Sequence, residues 1–191
     1  QKPMVAINRQ VEDVECIVPD IEREIYQAVK HLASLGHQKI AYLSGPPRSW
    51  INGVRSEEIH KAAKALGMAV TVVGPIEPTL AGGGAALDQV LSAGVTAVLT
   101  YNDLMAIGLL RQASVQHIRV PEQLSVVGFD NIFVSEFTTP PLTTIRTPLS
   151  EAGEQAVQTL LTMFDESAGE ASRPVLATEL VLRESTSKPQ S

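Results

Sequence analysis

Arg55, Asn102 and Asp130 are the residues of this sequence whose types and placement suit shared chemistry. Asn102 directly follows the strand-like run Thr96 to Tyr101, and Asp130 directly follows Leu124 to Phe129. Arg55 lies beyond the run Lys39 to Ser44 and its loop. In an open parallel sheet, ligands bind at the carboxyl ends of the strands. An arginine fork, an amide and a carboxylate converging there suit a ligand rich in hydroxyls or carrying an anionic group. Local roles are also open: Asn102 and Asp130 as caps or turn formers, Arg55 as a surface helix residue. Spacing alone does not choose between them.

Signatures of catalysis are missing. The sequence has no Gly-x-Ser-x-Gly elbow and no Cys/His cluster with metal-ligand spacing, so neither a nucleophile nor a metal centre is expected. His31, His37, His60 and His117 fall on or next to helix candidates without a carboxylate motif, and are expected at surfaces or helix ends. Gly82-Gly83-Gly84 precedes a helical stretch but lacks the Lys-Ser/Thr of a P-loop and the full dinucleotide fingerprint, so a flexible helix start is the expectation. No cofactor follows from these residues. The chain is expected to bind a small polar ligand and to catalyse nothing.

Composition agrees with a binding scaffold. A chain of 191 residues with 44% apolar content is long enough for one good core or two small lobes. A formal net charge of −6 argues against gripping nucleic acid or an anionic membrane through overall charge. The single cysteine, Cys16, cannot form an internal disulfide, and its apolar neighbours Ile17 and Val18 suggest strand packing. No apolar run approaches the roughly 20 residues that span a bilayer, so a cytoplasmic location is expected. Gln1-Lys2-Pro3 leads straight into a strand-like run, which suggests a fragment of a longer protein.

The elements that must position these residues alternate as in βαβ units. Strand-like runs are Met4 to Asn8, Lys39 to Ser44, Ala69 to Val73, Thr96 to Tyr101 and Leu124 to Phe129. Several are apolar on successive residues, as in strands covered on both faces. Helices are expected from Asp20 to about Leu35 with Gly36 as the stop, Asn52 to Leu66, Gly83 to Ser92, and after Asn102 or Asp103. Pro121 marks the turn before the next strand. The run 131–148, with Thr138-Thr139-Pro140-Pro141, is too proline-rich for a helix and alternates too little for a strand. A helix is expected from Ser150 to Asp165, a polar stretch after it, and a strand from Pro174 to Leu182.

At these residues the sequence resembles the effector-sensing core of the lactose/galactose-repressor family of bacterial transcription regulators. The matching text includes His31-Leu32, Leu35-Gly36-His37-Gln38-Lys39-Ile40-Ala41-Tyr42 and Ser44-Gly45-Pro46. It continues with Tyr101-Asn102-Asp103-Leu104-Met105-Ala106-Ile107-Gly108 and with Val120-Pro121-Glu122-Gln123-Leu124-Ser125-Val126-Val127-Gly128-Phe129-Asp130. Thr139-Pro140-Pro141-Leu142-Thr143-Thr144-Ile145 and Glu179-Leu180-Val181-Leu182-Arg183-Glu184-Ser185-Thr186 complete it, in the family's order over nearly the whole chain.

The resemblance implies an α/β, parallel-sheet, periplasmic-binding-protein-like (type I) fold whose lobes close on a ligand, the second lobe complete and the first partial. Residues 1–19 would end the first lobe, 20–145 form the second, 146–177 return to the first, and 178–191 make the final crossing strand and tail. The counterparts of Arg55, Asn102 and Asp130 contact the effector, usually a sugar, nucleoside or related metabolite. The loop Pro47 to Asn52 borders the same pocket, where Trp50 would stack on a sugar face, or else serve as a core or dimer residue. Ser49 stands where some relatives carry a long polar side chain. Others place an aromatic where this chain has Ile76, Pro78 and Leu80. The helix-turn-helix head, hinge helix and first half of the first lobe have no counterpart in these residues. A homodimer is implied, with operator DNA bound only through such a head. The alternatives are a free-standing solute-binding protein that delivers a sugar to a transporter and, on fold alone, an α/β enzyme.

Overall fold

The computed structural model describes residues 3–164 and 176–190. Two short strands, β1 (Val5–Ile7) and β2 (Glu15–Ile17), pair in parallel. A six-stranded sheet then follows in the order β4-β3-β5-β6-β7-β8. Its members are β3 (Lys39–Leu43), β4 (Ala69–Val73), β5 (Ala97–Thr100), β6 (Ser125–Asp130), β7 (Thr143–Arg146) and β8 (Glu179–Val181). All neighbours are parallel except β7 and β8.

Alternation along the strands divides the sheet between two cores. Ile40 and Tyr42 point to one face and Ala41 and Leu43 to the other, all with no exposure. The first face is covered by α1 (Glu22–Leu35) and α2 (Trp50–Ala65), the second by α4 (Leu87–Ser92) and α5 (Asp103–Val115), with α3 (Leu80–Ala85) packed on α5. The α1 helix buries Ile25, Ala28, Val29 and Leu32 at helical spacing, each large side chain contributing about 1.5–3 kcal/mol. Gly36 ends it at φ +99°, where a Cβ would be strained. Asp20 lies one residue outside the helix cap, Ile21, although its carboxylate still accepts the Glu22 N–H at 3.2 Å. A third cluster of Ile17, Ala152, Ala156 and Leu176 joins β2 to α6 (Leu149–Phe164). The expected helix end at Asp165, the polar stretch after it, and Pro174 lie outside the described residues.

Two expectations need correction. Thr143 to Arg146, passed over beside Pro140-Pro141, forms the buried strand β7. Its threonines are buried because distant groups satisfy them: Thr143 Oγ1 accepts the Arg183 N–H at 2.9 Å, and Thr144 Oγ1 donates to Asp103 Oδ1 at 2.6 Å. The glycine run is also no loose helix start. Gly82, Gly83 and Gly84 lie inside α3, where a Cβ on Gly83 would come within 2.6 Å of Met105 Cα. Gly83 and Gly84 let α3 lie directly on α5, while Gly82 packs against the Glu77 carbonyl.

Candidate functional site

The chain order reverses at β3: its connection through α2 leads outward to β4, and the return leads to β5 on the other side. The carboxyl ends of β3 and β5 are therefore a topological switch point, where parallel sheets leave a crevice. The loop 44–49, Tyr101 and Asn102 border it, and Asp130 ends the next strand, β6.

Arg55, in the second turn of α2, is 5% exposed and reaches across this edge. Its Nη2 pairs with Asp130 Oδ1 at 3.1 Å, and its Nη1 donates to the Tyr101 carbonyl. The guanidinium lies over the Phe129 ring, 4.0 Å from the centroid, with the Tyr101 ring at 5.2 Å. Nε is buried and has no hydrogen-bond partner among the described residues. Arg55 is thus a buried guanidinium held on an aromatic face, with one N–H unmatched among the described residues.

Asp130 has φ +100° and Asn131 φ +52°, so two consecutive non-glycine residues are left-handed. This turn aims the Asp130 carboxylate back at Arg55, and Thr147 Oγ1 lies 3.4 Å from the same oxygen. Asn102 caps α5: its Oδ1 accepts the Met105 N–H at 3.0 Å and its Nδ2 donates to the Pro78 carbonyl at 3.4 Å. Ser49 caps α2 by accepting the Asn52 N–H at 3.3 Å, and its hydroxyl meets Tyr101 OH at 3.2 Å. Trp50 begins α2 and is 36% exposed, so it is not a core residue. The structure thus joins Arg55 and Asp130 directly. It places Asn102 and Ser49 beside them through Tyr101, with both side chains also serving as caps.

Several supporting residues escaped the sequence reading. Asn52 Oδ1 accepts from Tyr42 OH at 2.9 Å and from the Gly45 N–H at 2.8 Å, fixing the loop against β3. Burial pushes the Tyr42 phenol upward, so it stays a neutral donor. Asp103 is wholly buried behind the Asp130 turn. It accepts from the Ile132 N–H at 2.9 Å, Ser135 Oγ at 2.6 Å and Thr144 Oγ1 at 2.6 Å. Burial nevertheless raises its carboxyl to about 6, against the opposing pull of those donors. A Cβ on Gly128 would collide with the Asp103 carboxylate, so β6 needs glycine there. The only advance signal was the Asn102-Asp103 pair at a helix start. His37 sits at the end of α1, one of the expected placements, and is buried there: its Nε2–H donates to the Ser187 carbonyl at 3.0 Å while Nδ1 meets Thr96 Oγ1 at 2.7 Å.

Comparison with known proteins places the chain as a whole. The sequence profile described as a periplasmic binding protein-like domain matches residues 29–186. The transcriptional repressor CytR of Escherichia coli (strain K12) is 35% identical over 191 residues, covering 96% of this chain and 56% of that protein. The regulator MalR of Streptomyces coelicolor is 38% identical over 176 residues, covering 89% of this chain and 51% of that protein. The chain therefore spans about half the length of the curated relatives it matches. Among solved structures, a LacI family transcriptional regulator from Enterococcus faecium with bound ribose has a TM-score of 0.88 at 29% identity, covering 97% of this chain and 71% of that one. A sugar-binding LacI family regulator from Escherichia coli, complexed with phosphate, has a TM-score of 0.86 at 27% identity, covering 98% and 69%. The chain belongs to the periplasmic-binding-protein-like domain family, as found in the effector regions of LacI-family transcriptional regulators.

Proposed function

We propose that this chain is the effector-sensing part of a bacterial transcriptional regulator that acts in the cytoplasm. It binds a small polar metabolite, a sugar or nucleoside-like molecule, between two lobes and thereby controls operator binding by a helix-turn-helix head. In this reading, residues 20–145 form the second lobe, 1–19 and 146–177 belong to the first, and 178–191 are the crossing strand and tail. Arg55, Asp130 and Asn102 contact the effector, with Ser49 and Trp50 on the rim. The observation that carries the proposal is the buried Arg55 at the switch point, paired with Asp130 and with Nε unmatched among the described residues. Support also comes from relatives that are themselves regulators, one solved with ribose and one with phosphate.

Ligand binding controls the head only if the ligand prefers one lobe arrangement. No reaction is assigned, because the matched relatives are regulators rather than enzymes. Among the described residues no helix is long and apolar enough to cross a membrane. A homodimer is part of the proposal. Phe133 and Phe137, 81% and 73% exposed on the turn after Asp130, offer an apolar surface for it. Sedimentation of the intact protein tests this: serine at both positions shifts dimer toward monomer, whereas an unchanged dimer refutes that surface. The function is tested by a thermal-shift screen of sugars and nucleosides on the intact regulator, since a ligand selective for the native state raises its stability by about 2.7 kcal/mol at a hundred times Kd. A hit that releases operator DNA supports the proposal. A secretory leader upstream in the gene would favour the solute-binding alternative instead.

A further inference from the structure

Two consecutive left-handed residues, Asp130 and Asn131, persist only if their surroundings over-determine them. Asp103 holds one side of the turn through the Ile132 N–H. The other side is held by Arg183, from the Leu182-Arg183-Glu184-Ser185 run that the effector contacts leave unexplained. Its Nη2 donates to Asn131 Oδ1 at 2.8 Å, its Nη1 to the Leu142 carbonyl at 2.7 Å, and its backbone N–H to Thr143 Oγ1 at 2.9 Å. Arg183 lies just beyond β8, which pairs with β7 and begins beside the third apolar cluster. There Leu176 packs with Ile17 and Ala152, the Asp20 N–H reaches the Leu176 carbonyl at 3.2 Å, and Thr178 Oγ1 reaches the Asp20 carbonyl at 2.6 Å. Glu24 of α1 also holds this strand, accepting the Leu180 N–H at 3.1 Å. One stretch of chain, 176–183, thus runs from the β1/β2/α6 cluster to the turn that carries Asp130.

We propose that Arg183 is a positioning residue that ties the Asp130–Asn131 turn to β8, so that displacement of this strand is felt at the carboxylate facing Arg55. The idea rests on the effector-site reading for its purpose. Its test needs no effector, so the two can fail separately. The experiment is amide hydrogen exchange, read residue by residue in the full chain. Glu24→Ala loosens β8, and Asn131→Gly or Arg183→Met cuts the link. Asn131→Gly is the gentler cut, because glycine keeps the left-handed backbone. In the wild-type background, Glu24→Ala raises exchange at Ile132 roughly 3- to 10-fold, the worth of one net hydrogen bond. With either cut, Glu24→Ala adds nothing further at Ile132, and Arg183→Lys partly restores the response because one donor remains. An equal rise in all backgrounds, no rise in the wild type, or a matching rise at Val127 inside β6 would each overturn the proposal. The first marks independent sites, the second the lack of a link, and the third global loosening.

Discussion

Replacing Asp103 by asparagine should reverse an effect that a count of hydrogen bonds would predict. Three donors face the carboxylate, which by itself argues for a stabilised anion. Burial opposes them and wins, with the Asp130 charge adding to it, and the carboxyl rises from 3.8 to about 6. The folded protein therefore binds this proton more tightly than the unfolded chain does. The contribution of Asp103 to stability grows as pH falls from above 6 toward 3.8, and is absent at neutral pH. About two pH units at roughly 1.4 kcal/mol each make a swing of about 3 kcal/mol. Asparagine has the same shape, keeps an oxygen for Ile132 and Ser135, and turns its amide to Thr144, whose hydroxyl can accept. It carries no charge at any pH. Urea unfolding at steps from pH 7.5 to 4 reads the difference between the two proteins, which cancels the other carboxylates. The wild type should gain most of that 3 kcal/mol on the variant as pH falls. A flat difference, or one that grows toward neutral pH, refutes the claim that desolvation dominates.

Other expectations follow from single contacts. His37 is held below its ordinary value of 6.5, first by burial, with His31 adding to it and the Ser187 carbonyl opposing. Stability should therefore fall as pH drops through 6.5, and His37→Gln should flatten that limb of the urea profile. Gly83→Ala should cost about 1–3 kcal/mol in the same assay, because the added methyl meets the α5 backbone and α3 must move away. Asp130→Asn should cost about 1–2 kcal/mol, below the roughly 3–5 of a fully buried pair. Its side chain is 23% exposed and water shares the charge. Arg55→Ala should cost more, since it also strips the ring contact with Phe129 and the bond to the Tyr101 carbonyl. It is consequently the poorer probe of ligand binding.

Much of the scaffold was legible because local signals agreed with the fold. Ala69 to Val73 is a strand as expected, Gly36 stops α1, and Asn102 rather than Asp103 caps α5. The helix over Asn52 to Leu66 starts two residues early, because Ser49 supplies the cap. What stayed hidden depends on partners far along the chain. The two threonines of β7 look too polar for a buried strand until Asp103 and the Arg183 N–H satisfy their hydroxyls. His37 is at a helix end as expected, but its burial depends on Thr96 and Ser187 closing around it. The glycines of α3 mark a close helix contact that only the fold reveals. At the site, spacing suggested that Arg55, Asn102 and Asp130 share one sheet edge. It gave no sign that Arg55 and Asp130 already bind each other, or that Asn102 and Ser49 are engaged as caps.

The central claim is that Asp130 and Arg55 form the polar heart of an effector site. Isothermal titration of the intact regulator tests it most directly, using the sugar or nucleoside that gives the largest thermal shift, with wild type and Asp130→Ala side by side. The account predicts at least a tenfold loss of affinity in the variant, about 1.4 kcal/mol, while its ligand-free melting curve stays cooperative. Equal affinity in the two proteins would contradict it.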